Sequence, residues 1–240
     1  MDTVVFFDVG GTLLEVSPSV GHVYAAACRR RGGTVAPASL QRAFDEAWVA
    51  LSADVPPGAD RYRVLPGGET TWWERVSDHA FDRCGVPAAQ RPPVAELRAV
   101  FAGPDAWRIF PETRDALNEL GRRGYRLGVL SNWDSRLPAL LAMLELRQHF
   151  EAVIHSAETG FEKPHPAIFS AALAAFGVDA KQAIHVGDRV EEDYAGARAA
   201  GMRALLVRRE EGGAVTELPG VERGHRVRDL NEVVRRVIDG

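Results

Sequence analysis

The chain contains short, uninterrupted apolar runs that recur at wide intervals and stop abruptly at a polar residue or a glycine. Runs of strand length occupy residues 4–7, 127–130, 152–154, 183–186 and 204–207. Continuous rather than alternating hydrophobicity is typical of strands that are covered on both faces. These runs therefore predict a buried sheet built from segments that are far apart in sequence.

Helical patterns lie between the later apolar runs and after the last one. They cover residues 112–123, 136–147, 165–176, 193–200 and 229–238. Strands that alternate with helices indicate a parallel sheet with helices on both faces. The predicted fold class is α/β, with a doubly wound, Rossmann-like parallel sheet.

The long segment after the first apolar run has a different pattern. It lacks a convincing buried strand and shows helical stretches near residues 18–31, 37–53, 69–84 and 93–102. A block of helices inserted after the first strand indicates a cap domain. We therefore expect a core domain formed by residues 1–16 and 107–240, and a helical cap domain formed by residues 17–106.

Composition and charge narrow the class of partner. The chain is 46% apolar and 26% charged, with a formal net charge of −4, as in an ordinary globular protein. This balance gives no basic footprint for nucleic acid or for an anionic membrane surface. No apolar stretch approaches the roughly 20 residues of a spanning helix. We expect a small-molecule substrate, with neither nucleic acid nor membrane as a partner; the oligomeric state has no signature in the sequence.

Cysteine usage and the first residues bear on the cellular compartment. The chain has two cysteines, Cys28 and Cys84, with no second cysteine or histidine at ligand spacing. Neither a disulfide framework nor a zinc site is indicated. The first residues lack the basic start and the apolar length of a signal peptide. We expect a cytoplasmic protein.

Polar residues that follow the apolar runs form a set suited to a metal ion and a phosphoryl group. The carboxyl ends of parallel strands converge on one crevice, which is where such folds bind ligands. Lys163 is conspicuous there, because only two of the 29 basic residues are lysines. The residues expected at this edge are Asp8, Thr12, Ser131, Asn132, Lys163, Asp188 and Asp193.

The carboxylates suggest a nucleophile and a metal site. Asp8 is expected to attack a phosphoryl group and form an aspartyl-phosphate, a recognised covalent intermediate. Because the phosphoryl group is dianionic, the attack requires a divalent cation. Mg²⁺ takes oxygen ligands, here Asp8, Asp188 and a backbone carbonyl. Asp193 is expected to orient the water shell of the metal.

The remaining members of the set are hydrogen-bond donors. The hydroxyl of Thr12 or Ser131, the amide of Asn132 and the ammonium of Lys163 are expected to donate to phosphoryl oxygens. These donors suit a group whose charge redistributes in the transition state.

The ordered set of motifs resembles the haloacid dehalogenase-like hydrolase superfamily, in the subclass whose helical cap lies between the first two motifs. A narrower resemblance, to one branch of that family, is carried by residues 20–24, 72–73, 131–137, 163–164 and 193–198. The resemblance covers the chain to about residue 208. It implies Asp8 as nucleophile, and Ser131 and Lys163 as phosphoryl-binding groups. We expect a hydrolase of small phosphate esters. The resemblance further implies Mg²⁺ held by Asp8, the Gly10 carbonyl and Asp188, with Asp193 in support.

One position departs from the pattern of the family's phosphatases. They carry a second Asp two residues after the nucleophile, which protonates the leaving oxygen and later activates water, whereas this chain has Gly10. A positioned general acid contributes about 10²- to 10⁴-fold to the rate. Alkyl phosphates should therefore be hydrolysed slowly, whereas the hydrolysis rates of aryl or acyl phosphates should be reduced least. Asp134 and Glu15 are candidates for a substitute acid.

The missing acid leaves two other functions open. One is a regulatory protein that binds phosphate and metal but has little or no turnover. The other is a 2-haloacid dehalogenase, which needs no metal; the acidic pair Asp188 and Asp193 argues against it. Phosphonate hydrolysis in this family uses a cap lysine as a Schiff base, and residues 17–106 contain no lysine. Arginine cannot replace that lysine.

Overall fold

A computed structural model describes residues 3–209 and 219–239 of the chain. The chain divides into two compact units, which are described separately. The core unit comprises Met1–Glu15 and Ile109–Gly240, and the helical unit comprises Val16–Arg108. Short strands lie where the chain passes from one unit to the other: β2 (Leu14–Val16) and β3 (Trp107–Ile109) form a two-stranded sheet.

The core unit contains a six-stranded sheet in which every pairing is parallel. Its strand order is β5-β4-β1-β6-β7-β8. The chain therefore builds the sheet outward from β1, first through β4 and β5, and then through β6 to β8. The strands are β1 (Val4–Phe7), β4 (Arg126–Ser131), β5 (Ala152–His155), β6 (Ala183–Gly187), β7 (Arg203–Val207) and β8 (Arg226–Val227).

Helices cover this sheet. They are α5 (Thr113–Arg122), α6 (Leu137–Met143), α7 (Ser156–Thr159), α8 (Pro166–Phe176), α9 (Gly196–Ala199) and α10 (Leu230–Asp239), with a π-helix at Val190–Ala195. Phe6 packs with Phe169 and Phe176 of α8 on one face. Its strand neighbours Val5 and Phe7 are also fully buried, which shows that the opposite face is covered. The predicted doubly wound α/β fold is confirmed.

The helical unit consists of α1 (Val20–Arg29), α2 (Pro37–Ser52), α3 (Gly68–Arg83) and α4 (Val94–Ala102). Its core includes Tyr24, Leu40 and Phe81, in which the Tyr24 and Phe81 ring centres lie 5.5 Å apart. Gly21 of α1 lets α2 approach closely, since a β-carbon there would lie 2.6 Å from the Gln41 nitrogen. None of the helices in the described ranges combines the length and the apolar character that crossing a bilayer requires.

The elements predicted from hydrophobic pattern agree with the structure to within a few residues, with three exceptions. The short strands β2, β3 and β8 were not predicted, because two or three residues carry no recognisable period. The segment predicted as a helix at 193–200 is instead a π-helix followed by α9. The predicted helix at 136–147 ends earlier, at Met143, and a 3-10 turn follows at Arg147–His149.

Candidate active site

The strand order brings the predicted site residues to one edge of the core sheet. Strand β1 lies between β4 and β6, at the point where the direction of winding reverses. Open α/β sheets bind ligands at such a point, beyond the carboxyl ends of the strands. Asp8 directly follows β1, Ser131 ends β4, and Asp188 directly follows β6. The backbone N–H of Asp8 donates to the Val186 carbonyl at 2.8 Å, which fixes the start of the Asp8 loop.

Asp8 is buried and accepts two hydrogen bonds from side chains. The Ser131 hydroxyl donates to Asp8 Oδ1 at 2.9 Å, and Lys163 Nζ donates to the same oxygen at 2.8 Å. Burial raises the pKa of the Asp8 carboxyl, and the attraction of the Lys163 ammonium opposes that shift. Because both bonds go to Oδ1, the other carboxylate oxygen points away from these donors.

Lys163 is the positive charge at the centre of this cluster. Its Nζ donates to Asp8 Oδ1, to the Leu130 carbonyl at 3.0 Å and to Asp193 Oδ1, so all three N–H groups are used. Burial alone would lower the pKa of Lys163, but the charges of Asp193 and Asp8 outweigh it and raise the pKa. Lys163 therefore stays protonated, and it presents its charge rather than a spare N–H.

Asp193 lies behind Lys163, on the π-helix. Single π-turns occur often at functional sites. One carboxylate oxygen accepts from Lys163 and from His185 Nε2, the latter at 2.9 Å, and the other accepts from the Arg189 backbone N–H at 2.9 Å. Burial would raise the pKa of Asp193, but the Lys163 charge and the His185 hydrogen bond hold it below its usual range.

Three carboxylates in this cluster face the buried Lys163 ammonium, and the exposed Arg189 guanidinium lies 3.7 Å from Asp188 Oδ2. Asp8, Asp188 and Asp193 each offer an oxygen, and these oxygens lie within 4.8 Å of one another. Asp188 Oδ1 is buried and has no hydrogen-bond partner among the described residues. Burial, together with the charges of Asp8 and Asp193, raises the pKa of Asp188 to about 7. A buried oxygen without a donor and an excess of negative charge fit a hard divalent cation.

Gly11 explains how Asp188 comes so close to the nucleophile loop. Gly11 has φ +77°, and a β-carbon there would lie 2.5 Å from Asp188 Oδ2. Any other residue would be strained and would displace the Asp188 carboxylate. The preceding residue, Gly10, has no such restriction, because among the described residues a β-carbon there would contact only Trp133 Cζ3, at 3.4 Å.

Two residues expected to bind substrate have other surroundings. The Asn132 side chain bonds the Lys163 backbone: Nδ2 donates to the Lys163 carbonyl at 3.0 Å, and Oδ1 accepts from the Lys163 N–H at 2.6 Å. Asn132 thus ties the Lys163 loop to the end of β4. The Thr12 hydroxyl is buried and lacks a hydrogen-bond partner within residues 3–209 and 219–239. Substrate binding by either residue stays a prediction.

The structure bears on one of the two candidates for the missing acid: Asp134 lies in a setting unsuited to proton donation, whereas the role of Glu15 stays a prediction. Asp134 is fully buried, and its carboxylate accepts hydrogen bonds from the Arg136 side chain at 2.9 and 3.0 Å. It is the partner of a guanidinium rather than a proton donor. Glu15, at the end of the core unit's first segment, lies within β2.

Sequence reasoning did not find two residues that support the site. Arg209 donates from Nη2 to the Thr12 carbonyl at 2.9 Å and from Nε to the Gly11 carbonyl at 3.4 Å, which holds the nucleophile loop. Arg209 lies two residues after the end of β7, and a polar residue just beyond a strand end was the sequence signal that could have identified it. His185 is the only polar residue in the apolar run 183–186, and a polar residue inside a buried strand was the available signal.

Comparison with known proteins shows the family to which the chain belongs. The sequence profile of haloacid dehalogenase-like hydrolases matches residues 3–201. The chain therefore belongs to the haloacid dehalogenase-like hydrolases, and the resemblance found in its motifs is confirmed. The branch indicated by the narrower resemblance is also supported. The chain is 38% identical over 204 residues to human haloacid dehalogenase-like hydrolase domain-containing protein 3, covering 84% of this chain and 80% of that protein.

Two further proteins carry names that describe an activity. The phosphoserine phosphatase of Thermus thermophilus is 38% identical over 192 residues, which is 80% of this chain and 73% of that enzyme. The crystal structure of 2-haloacid dehalogenase from Pseudomonas syringae superposes with a TM-score of 0.67 at 26% identity, covering 100% of this chain and 99% of that one. The family thus includes phosphatases and dehalogenases among the relatives of this chain.

Proposed function

We propose that this protein is a Mg²⁺-dependent hydrolase of small phosphate esters that forms an aspartyl-phosphate at Asp8 and is slowed by Gly10. The observation that carries the proposal is the charge imbalance of the site. Asp8, Asp188 and Asp193 surround a single ammonium, and Asp188 has a buried oxygen without a donor among the described residues. A site of this kind favours a divalent cation and, through it, a phosphoryl anion.

The metal ligands in this proposal are Asp8, Asp188 and the Gly10 carbonyl. Asp193 is better suited to a supporting role, because both of its oxygens already accept hydrogen bonds within the protein. When bound, Mg²⁺ supplies charge screening between the Asp8 carboxylate and the phosphoryl dianion.

The nucleophile is positioned by two donors on one oxygen. Ser131 and Lys163 both bond Asp8 Oδ1, which leaves Oδ2 to attack phosphorus. The new O–P bond gives an acyl phosphate, and the ester bond breaks so that the alcohol oxygen leaves with the electron pair. Water then cleaves the acyl phosphate and regenerates the carboxylate. The positive charge of Lys163, 2.8 Å from Oδ1, stabilises the negative charge on the reacting groups throughout both steps.

The leaving oxygen receives no proton from position 10. Glycine has no acidic hydrogen on a side chain, and Asp134 is paired with Arg136. Leaving groups that are stable as anions are therefore favoured, which means aryl and acyl phosphates over alkyl phosphates. We further propose that the helical unit, Val16–Arg108, serves as the cap that selects the substrate.

Dehalogenation is the competing catalytic function, since one structural relative bears that name. It would require a 2-haloacid, whose own carboxylate has to lie near the nucleophile. The carboxylates of Asp8, Asp188 and Asp193, which lie within 4.8 Å of one another, would disfavour a further carboxylate in the site. A binding protein without turnover is the remaining alternative, and Gly10 is the feature that favours it.

Release of 4-nitrophenol from its phosphate ester, with Mg²⁺ and with EDTA, tests the proposal. We expect turnover that EDTA abolishes and that Asp8→Asn abolishes, with the variant remaining folded by circular dichroism. Wild-type turnover in Asp8→Asn would contradict the covalent mechanism. No release from either an aryl or an acyl phosphate would favour the binding protein. Halide release from 2-chloropropionate in EDTA would favour the dehalogenase.

A further inference from the structure

We infer that His185 is a positioning residue, which fixes Asp193 and through it places the Lys163 ammonium against Asp8. His185 lies in β6, near the middle of the core sheet, and its side chain is fully buried. Its Nε2 is 2.9 Å from Asp193 Oδ1. Because Asp193 accepts at that oxygen, Nε2 carries the hydrogen and the imidazole is the donor.

The surroundings of the ring argue against a purely structural role for His185. His185 Nδ1 has no hydrogen-bond partner in the described part of the chain. The ring packs edge to face with Phe169 of α8, at 6.0 Å between centres. Burial lowers the pKa of His185, and the geometry leaves Nδ1 as a buried polar atom without a partner among the described residues. A buried polar atom without a partner destabilises a fold, and an apolar side chain would avoid that cost.

What His185 does supply is a third anchor for Asp193. The Arg189 backbone N–H fixes one carboxylate oxygen at 2.9 Å, and His185 and Lys163 share the other. Without the His185 bond, the Asp193 carboxylate can turn about its last side-chain torsion. Lys163 would then follow Asp193 or lose it, and either change alters the 2.8 Å contact between Lys163 Nζ and Asp8 Oδ1.

Gly187, two residues after His185 in β6, supports the same arrangement. A β-carbon at Gly187 would lie 2.5 Å from Asp193 Cβ, so the strand approaches the Asp193 side chain as closely as glycine permits. His185 and Gly187 lie two residues apart and therefore on the same face of the strand. Together they position the Asp193 side chain: His185 donates a hydrogen bond to it, and Gly187 leaves room for it.

A matched pair of substitutions tests the hydrogen bond apart from the shape of the side chain. Gln carries an amide N–H at about the reach of Nε2, and Met has a similar length without a donor. We expect His185→Gln to keep kcat within about threefold of wild type. We expect His185→Met to lower kcat by about 10- to 100-fold with a much smaller change in KM, as follows from a misplacement of up to about 1 Å.

The lysine composition of the chain provides a readout that does not depend on turnover. Only Lys163 and Lys181 are present, and Lys181 is exposed, so ¹⁵N-lysine labelling gives one buried signal and one internal control. We expect the Lys163 ¹⁵Nζ signal to shift or broaden in His185→Met and to stay in place in His185→Gln. The Lys181 signal should be the same in all three proteins.

The kinetic arm rests on the proposed function, whereas the spectroscopic arm does not. If no phosphate ester is hydrolysed, the proposed function fails, and the Lys163 signal still decides the role of His185. Equal kcat and equal Lys163 signals in the two variants would overturn the inference. Loss of the folded state in both His185→Met and His185→Leu would also overturn it, because the bond would then serve the fold.

Discussion

Gly187→Ala is the smallest change that should disrupt the site, because β6 and the Asp193 side chain are packed without spare room. The added methyl carbon would lie 2.5 Å from Asp193 Cβ and closer still to Cγ. Non-bonded carbons prefer about 3.5–4.0 Å, so the Asp193 side chain or the strand has to move by about 1 Å or more. Gly187 does not have a left-handed φ, so the clash, rather than backbone strain, is the destabilising effect.

The size of the effect follows from what Asp193 holds. Its carboxylate is paired with Lys163 and hydrogen-bonded to His185, and all three side chains are buried. Breaking a buried ion pair costs about 3–5 kcal/mol, out of about 5–15 kcal/mol for a whole domain. The variant should fold but be much less stable. A displacement of about 1 Å at Lys163 should lower turnover about 10²-fold.

Urea denaturation and 4-nitrophenyl phosphate hydrolysis measure the two effects. Gly121→Ala is the matched control: Gly121 lies near the end of α5, a β-carbon there would meet no atom of the described residues within 4 Å, and its φ is ordinary. The control should raise the free energy of unfolding by about 0.5–1 kcal/mol and leave turnover unchanged. A Gly187→Ala variant with a free energy of unfolding within about 1 kcal/mol of wild type and a turnover within about threefold would disprove this prediction. The close packing of Asp193 would then not determine the position of Lys163.

Two further predictions concern the missing acid and the excess charge. Gly10→Asp should raise kcat for alkyl phosphates by up to about 10²- to 10⁴-fold, whereas Gly10→Ala, whose methyl also reaches Trp133 at 3.4 Å, should give no gain; equal rates would show that the acid does not limit turnover. The Asp188 pKa of about 7 in the fold exceeds its usual 3.8, so the metal-free protein should lose stability as pH rises between those values. Denaturation in EDTA at pH 5 and pH 8 should show this loss in wild type but less of it in Asp188→Asn, and an equal loss in both would contradict the shift.

Sequence alone determined the fold class and most of the elements. Apolar runs that lack alternation favour buried parallel strands, because both faces of such a strand are covered. This pattern located β1, β4, β5, β6 and β7. It also placed Asp8 and Ser131 at strand ends, from which their meeting could be inferred, because the carboxyl ends of parallel strands share one edge.

Tertiary structure alone decided which partner each polar group takes. Asp8 and Lys163 are separated by more than 150 residues, and their contact depends on the order of strands in the sheet. Asp193 looked like an accessory metal ligand in the sequence, yet its oxygens bond Lys163, His185 and the Arg189 N–H. The π-helix that carries Asp193 and the close approach allowed by Gly187 produce that arrangement. Neither feature has a hydrophobic periodicity by which it could be predicted from the sequence. Charges and donors act over a few ångströms in space, whereas sequence patterns report only on neighbours along the chain.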